Sequence, residues 1–251
     1  MRERHIRTPP VLSFALWGAV GLLTTIGMVA ALARSLYLAD LGARLDPVRT
    51  QLMDRLDRKD PFTAHRADEL DQFDRRFAAH PVMTRLHILP GGLFLLLAPL
   101  QFSSRVRRRH IRFHRWSGRV VMLAAIATAL SGLFFGLLMP FGGPPEAVAI
   151  ALFGGLLLIA VVRGFLAIRS GQVALHREWM IRTFALGIAI STVRLVGPVV
   201  DYAFTPGGLW SWDMFALSLW IGWVLTVAAA EAWIRYTRPR PDTLAVPARA
   251  D

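Results

Sequence analysis

Two short runs of the sequence carry side chains that could bind a metal-containing group. His114, Arg115, Trp116, Ser117, Gly118 and Arg119 form one; His176, Arg177, Glu178, Trp179, Met180, Ile181 and Arg182 form the other. Each is a His-Arg pair, then an aromatic residue, then a second arginine, at the start of an apolar run. Two imidazoles facing each other from different helices at one depth are what bis-histidine ligation of a b-type haem requires, and guanidinium groups suit its propionates. On this reading His114 and His176 ligate iron, Arg119 and Arg182 hold propionates, and Trp116 and Trp179 pack nearby. The blander reading leaves both histidines at a membrane interface, bonded to headgroups or backbone carbonyls. A second haem at the opposite end is not expected, because His80 and His87 belong to one stretch of chain and cannot sandwich one iron.

Other constellations compete. His110 and His114 stand at i, i+4, which puts two imidazoles on one helix face, and with His176 as third ligand and Glu178 as base they sketch a zinc hydrolase. The crowd of Arg107, Arg108, Arg109, Arg112 and Arg115 opposes a divalent cation there. A third set consists of charges inside apolar runs: Arg163, Arg194 and Glu231. Intramembrane charge is costly and faces a partner or a cavity. Arg163 and Glu231 fall at similar depth and are expected to pair, while Arg194 lies near the depth of His87. His87, Arg194, Arg163 and Glu231 therefore define an alternative site for a transporter or a ligand-binding protein.

All of these residues are positioned by long apolar segments. The 251 residues are 54% hydrophobic, and charge is confined to clusters between the apolar runs. Crossing ~30 Å of hydrocarbon at 1.5 Å per residue takes roughly 20 apolar residues. About six segments satisfy this: Val11 to Leu32, Met83 to Phe102, Trp116 to Met139, Ala147 to Ile168, Trp179 to Val200 and Trp212 to Ile234. The second is the shortest and carries Pro90 and Pro99; the third and fourth are joined by a Pro/Gly turn and form a hairpin. Backbone groups in lipid must be satisfied within the segment, so all six are expected to be helices of an all-α integral membrane bundle.

Arginine is concentrated on alternate loops, before the first span, between the second and third, between the fourth and fifth, and after the sixth. The positive-inside rule then puts both termini in the cytoplasm. The net charge of +12 is mostly this topology signal. It implies contact with anionic lipid headgroups on the cytoplasmic face and no nucleic acid. All but one of the 29 basic residues are arginine, which points to a GC-rich bacterial genome and an inner-membrane location. The chain has no cysteine, which excludes disulfides, thiolate metal sites and thiol nucleophiles. The first apolar run is longer than a signal-peptide core and is expected to stay as a helix.

The organisation that follows is residues 1–33 with the first helix, an extracytoplasmic amphipathic loop over 34–82, a five-helix membrane core over 83–234 and a cytoplasmic tail over 235–251. In the loop, Asp46 and Pro47 start one amphipathic stripe, Val48, Leu52 and Leu56, and Leu70, Phe73 and Phe77 make another.

The runs His114 to Arg119, His176 to Leu186 and Thr192 to Leu195, with Gln101, Phe102, Trp223 and Glu231, resemble an uncharacterised family of bacterial membrane proteins, domain of unknown function 2306. The resemblance covers about Leu86 to Trp233 and implies a membrane location without an assigned activity. Thr226 stands where the resemblance implies an asparagine, so no role should rest on a side-chain amide there. Among mechanisms, haem-mediated electron transfer to or from a quinone is the leading expectation.

Overall fold

The structure, a computed structural model, describes residues 9–38, 75–204 and 212–238. Its helices are α1 (Pro10–Leu38), α2 (Pro81–Gln101), α3 (Ser104–Arg109), α4 (Ile111–Leu138), α5 (Gly143–Arg169), α6 (Val173–Phe204) and α7 (Trp212–Thr237). All but α3 are long and apolar enough to cross a membrane, which makes six spans. The described residues contain no strand. Most of the 34–82 segment, including Val48, Leu52, Leu56, Leu70 and Phe73, lies outside the described residues, as does the tail beyond 238.

Local chemistry sets the helix ends. Pro81 occupies the first turn of α2, where a missing N–H costs nothing. Gly143 adopts φ +64° at the α4–α5 turn, a conformation that a Cβ disfavours, and Glu146 accepts from the backbone N–H of Gly142. At the α5–α6 turn Gly171 adopts φ +73°, its N–H donates to Ile168 O at 3.2 Å, and Gln172 N–H donates to Ala167 O at 2.9 Å. These bonds cap carbonyls that α5 would otherwise leave open. α2 is the shortest span at 21 residues and carries Pro90 and Pro99.

Helices α2, α4, α5 and α6 form a closed ring in which α2 packs on α4, α4 on α5, α5 on α6 and α6 on α2. α1 covers the α2–α6 side and α7 the α5–α6 side. α4 and α6 thus stand across the diagonal of a four-helix core and share no extensive interface. The core is built from Phe94, Leu95, Ala98, Val121, Ala125, Phe153, Ala160 and Leu186, with several alanines that let backbones approach. In lipid, close approach replaces the hydrophobic effect as the force between helices. The tightest case is α6 against α7: a Cβ on Gly222 would stand 3.0 Å from the backbone N and Cα of Val193.

Candidate functional site

The structure begins α4 at Ile111 and α6 at Val173, earlier than the apolar runs alone indicate, so His114 and His176 both sit in first turns. Antiparallel succession of the spans brings these two turns to the same end of the bundle, the end that carries α3 and its Arg107, Arg108 and Arg109. His176 Nδ1 lies 2.8 Å from the carbonyl oxygen of Gly164 on α5. A carbonyl only accepts, so Nδ1 carries the proton and donates, and the Nε2 lone pair is left for a ligand. His114 is half-buried, and its Nδ1 is buried without a hydrogen-bond partner. His114 lies near His176, Arg107 and Arg115.

The same end contains supporting contacts. Gln101 Nε2 donates to Ser117 Oγ at 2.8 Å, and Ser117 Oγ donates to Phe113 O at 2.6 Å, which fixes α2 to the first turns of α4. Ser117 is fully buried. Gly118 keeps this contact open, since a Cβ there would stand 3.3 Å from Gln101 Oε1. Ser103 caps α3, and Arg107 Nη1 donates to Gln101 O at 3.1 Å. Burial and the neighbouring Arg108 pull Arg107 below the ordinary arginine value. Arginines stay protonated in proteins, so this reads as the cost of holding the charge there, a cost that an anion beside it would relieve.

Arg182 and Glu231 depart from expectation. Glu231 pairs with Arg182, not with Arg163: Nε donates to Oε1 at 2.6 Å and Nη2 to Oε2 at 3.1 Å. Arg182 also stacks on Trp179, 4.7 Å from the ring centroid, and lies 3.8 Å from Glu178. Glu178 binds Arg238 through two bonds of 3.0 and 2.8 Å and so raises that arginine above its ordinary value. Arg177 Nη2 donates to Thr237 Oγ1 at 2.8 Å. Arg182 is therefore committed to joining α6 with α7 and is not the open propionate partner expected of it. Arg163 is exposed on α5. Depth along the sequence is the same for either partner; the azimuth of α5 turns Arg163 away. Arg119 is exposed on α4.

The zinc arrangement does not assemble. His110 is the residue at which the chain breaks between α3 and α4, with φ −132° and ψ 54°, so it does not share a helix face with His114. A groove of about 410 Å³ lies at that break, lined by Arg109, His110, Ile111, Arg112 and Phe113. Among the described residues no three His, Asp or Glu side chains come together as a metal-binding group.

The alternative ligand set divides between the two ends. His87 on α2 and Arg194 on α6 are near each other at the end opposite α3, whereas Glu231 belongs to the α3 end. His87 Nδ1 contacts Thr128 O at 3.1 Å and Ser131 Oγ at 3.3 Å on α4. Above it the helical turn at 75–79 is held by Arg76 over the Phe141 ring, 4.4 Å away, and by Phe77 against Phe135, 4.6 Å between centroids. The α3 helix, Gln101–Ser117 and the Gly164 carbonyl were not expected as parts of the site. Of these, only the Ser103 cap before a basic run carries a local signal.

Six apolar helices, four of them forming the core, define a multi-pass helical membrane protein. The chain matches, over residues 84–234, the family described as predicted membrane protein, domain of unknown function 2306, and it belongs to that family. No curated protein and no solved structure matches it. The matched region starts just inside α2, so the family unit is the ring of α2, α4, α5 and α6 with α7, while α1 lies outside it.

Proposed function

We propose that the α3 end of the bundle binds a b-type haem between His114 and His176 and that the protein exchanges electrons with a membrane quinone. The observation that carries this is the pair itself: two histidines on diagonal helices of a four-helix core, at one end, with His176 oriented by Gly164 so that Nε2 is available. Cofactor sites in helix bundles are built in this way, from side chains projecting inward on facing helices. The buried Nδ1 of His114 supports the fit, because it is a ring nitrogen that no protein group engages and that is therefore left for a ligand. Bound there, the group would supply one-electron chemistry at a potential tuned by the two histidines that would hold it and by its surroundings.

The chain's own residues supply the rest. Arg107 and Arg115, close to His114, replace Arg182 as the cations suited to propionates, and Arg119 remains a further candidate at the surface of α4. Ser117 and Gln101 hold the first turn of α4 so that His114 stays in register with α2. The cationic surround favours a dianionic group over bare zinc. The arginine distribution supports a cytoplasmic α3 end, both termini inside, in a bacterial inner membrane, with anionic lipid headgroups against α3.

The test is an absorption spectrum of detergent-purified protein from cells supplied with haem. A sharp Soret band that shifts on reduction is expected. His114→Ala and His176→Ala should each abolish or grossly alter it, while His110→Ala leaves it unchanged. A folded, colourless wild-type protein would refute the haem reading.

A further inference from the structure

Toward the end of the bundle opposite α3 lie polar groups that stand outside the His114–His176 site. Hydroxyl side chains within membrane helices ordinarily return a hydrogen bond to the carbonyl four residues back. Ser131, Thr183, Ser218, Thr226 and Thr237 all do so, with O···O distances of 2.7 to 2.9 Å. Thr24 on α1, Thr128 on α4 and Ser191 on α6 do not: each hydroxyl oxygen is buried without a partner. Ser191 is fully buried, and its Oγ would stand 2.7 Å from a Cβ on Gly27 of α1. Thr128 lies across from Gly91 of α2, 3.6 Å from Oγ1 to a Cβ built there. An unmade buried hydrogen bond costs roughly 1–3 kcal/mol, so three such hydroxyls on three of the spans are unusual.

Ser191 lies one turn deeper than Arg194 along α6, and Thr128 lies level with His87, whose Nδ1 contacts its carbonyl. Arg194 is exposed on α6 next to Arg34 of α1, and its Nη1 donates to Ile190 O at 3.0 Å. That bond directs the guanidinium back along α6 toward the bilayer centre and away from the nearer headgroup layer. Among the described residues no carboxylate pairs with Arg194. His87 donates from Nδ1 to Thr128 O, which leaves its Nε2 as an acceptor. Pro198 follows Arg194 by four residues and cannot return a helical bond to the Arg194 carbonyl.

We propose that His87 and Arg194, with Thr128 beside His87 and Ser191 one turn below Arg194, bind the headgroup of a membrane-dissolved quinone and its quinol, entering from the bilayer beside α1. The chemistry matches both forms: the Arg194 N–H groups donate to a quinone carbonyl, and the His87 Nε2 accepts from a quinol hydroxyl. A phospholipid phosphate offers only acceptors at neutral pH and would leave the His87 lone pair unused. The exposed position of Arg194 within a span selects a ligand that arrives through hydrocarbon. This inference rests on the quinone half of the functional reading and not on the haem.

The experiment measures equilibrium binding of radiolabelled ubiquinone with two isoprenoid units to the full chain in nanodiscs. The wild type, Arg194→Gln, Arg194→Lys, His87→Gln and, as a control, Arg163→Gln are compared, and an absorption spectrum is recorded on every sample. Quinone affinity should fall at least tenfold in Arg194→Gln and stay within a few-fold in Arg194→Lys and Arg163→Gln. Quinol affinity, measured under reductant, should fall more than quinone affinity in His87→Gln. Equal binding by the wild type and Arg194→Gln overturns the proposal, as does displacement of bound quinone by short-chain phosphatidylglycerol with no dependence on His87. If Arg194→Gln fails to fold, a photoreactive azidoquinone on the wild type decides: labelling of α6 or α2 near Arg194 and His87 upholds the site, and labelling elsewhere overturns it. A colourless protein that still binds quinone through Arg194 rejects the haem and keeps this site; a coloured one indifferent to Arg194 does the reverse.

Discussion

The Arg182 guanidinium holds both carboxylate oxygens of Glu231, at 2.6 and 3.1 Å, and so ties the first turns of α6 to the last turns of α7. Bidentate pairs of this kind are the stronger charge-assisted bonds. Glu231→Ala should lower unfolding stability by about 2–3 kcal/mol, less than the ~3–5 kcal/mol of a fully buried pair because 21% and 32% of the two side chains remain accessible. A double-mutant cycle on denaturant unfolding should give a coupling energy for Glu231 with Arg182 and none with Arg163. Coupling to Arg163 instead would reject the assignment.

The bond from Gln101 to Ser117 is the link between α2 and the turn bearing His114. Ser117→Ala removes the acceptor and strands a half-buried amide, at a cost of about 1–3 kcal/mol. Ser117→Thr keeps a hydroxyl and should recover part of the loss. Thermal unfolding in detergent measures both, and a Ser117→Ala protein as stable as wild type would remove the link from the account.

Gly164 supplies the carbonyl that orients His176 and has no room for a side chain, since a Cβ there would lie 3.3 Å from Trp179 Cβ and would also press on Met180. Gly164→Leu should separate α5 from α6, costing about 1–3 kcal/mol by overpacking. Any visible spectrum should be perturbed as well, although no ligand is replaced. Unchanged stability together with an unchanged spectrum would show that the carbonyl is not what positions the ring.

The absence of cysteine makes topology directly measurable, because a single introduced thiol labels without background. Arg109→Cys should react with a membrane-impermeant maleimide only after the cytoplasmic side is opened, and Gly143→Cys should react in intact spheroplasts. The opposite pattern would invert the bundle and place α3 outside.

The spans were legible because the bilayer imposes one simple requirement, length and apolarity, which any sequence must display. The joint position of His114 and His176 was legible for a related reason. Both open a span, and alternate spans open at the same end. What could not be read was rotation about each helix axis. In lipid a helix is apolar on nearly every side, so no stripe says which face meets a neighbour. Arg163 and Arg182 offered Glu231 equivalent depth, and only the packing of α6 on α7 separates them. His110 misled for a different reason: a run of arginines with good helix propensity hides a break that the backbone makes at that residue. The unpartnered Thr24, Thr128 and Ser191 carry no sequence signal at all, since their neighbours Thr25, Ser131 and Thr183 are of the same types and do back-bond.

The contact between Gly27 of α1 and Ser191 of α6 also bears on how the molecule is made. The two residues are separated by 164 positions, so at a synthesis rate of roughly 5–20 residues per second α1 waits about ten to thirty seconds for that partner. During that interval α1 can pack on α2 but not yet on α6. Its insertion must be secured by its own length and apolarity, and its final rotation is decided late, when α6 emerges and Ser191 packs against Gly27. A bulkier residue at Gly27 should therefore leave α1 inserted but unseated, and quality-control proteolysis would act on a chain whose other five spans are already assembled.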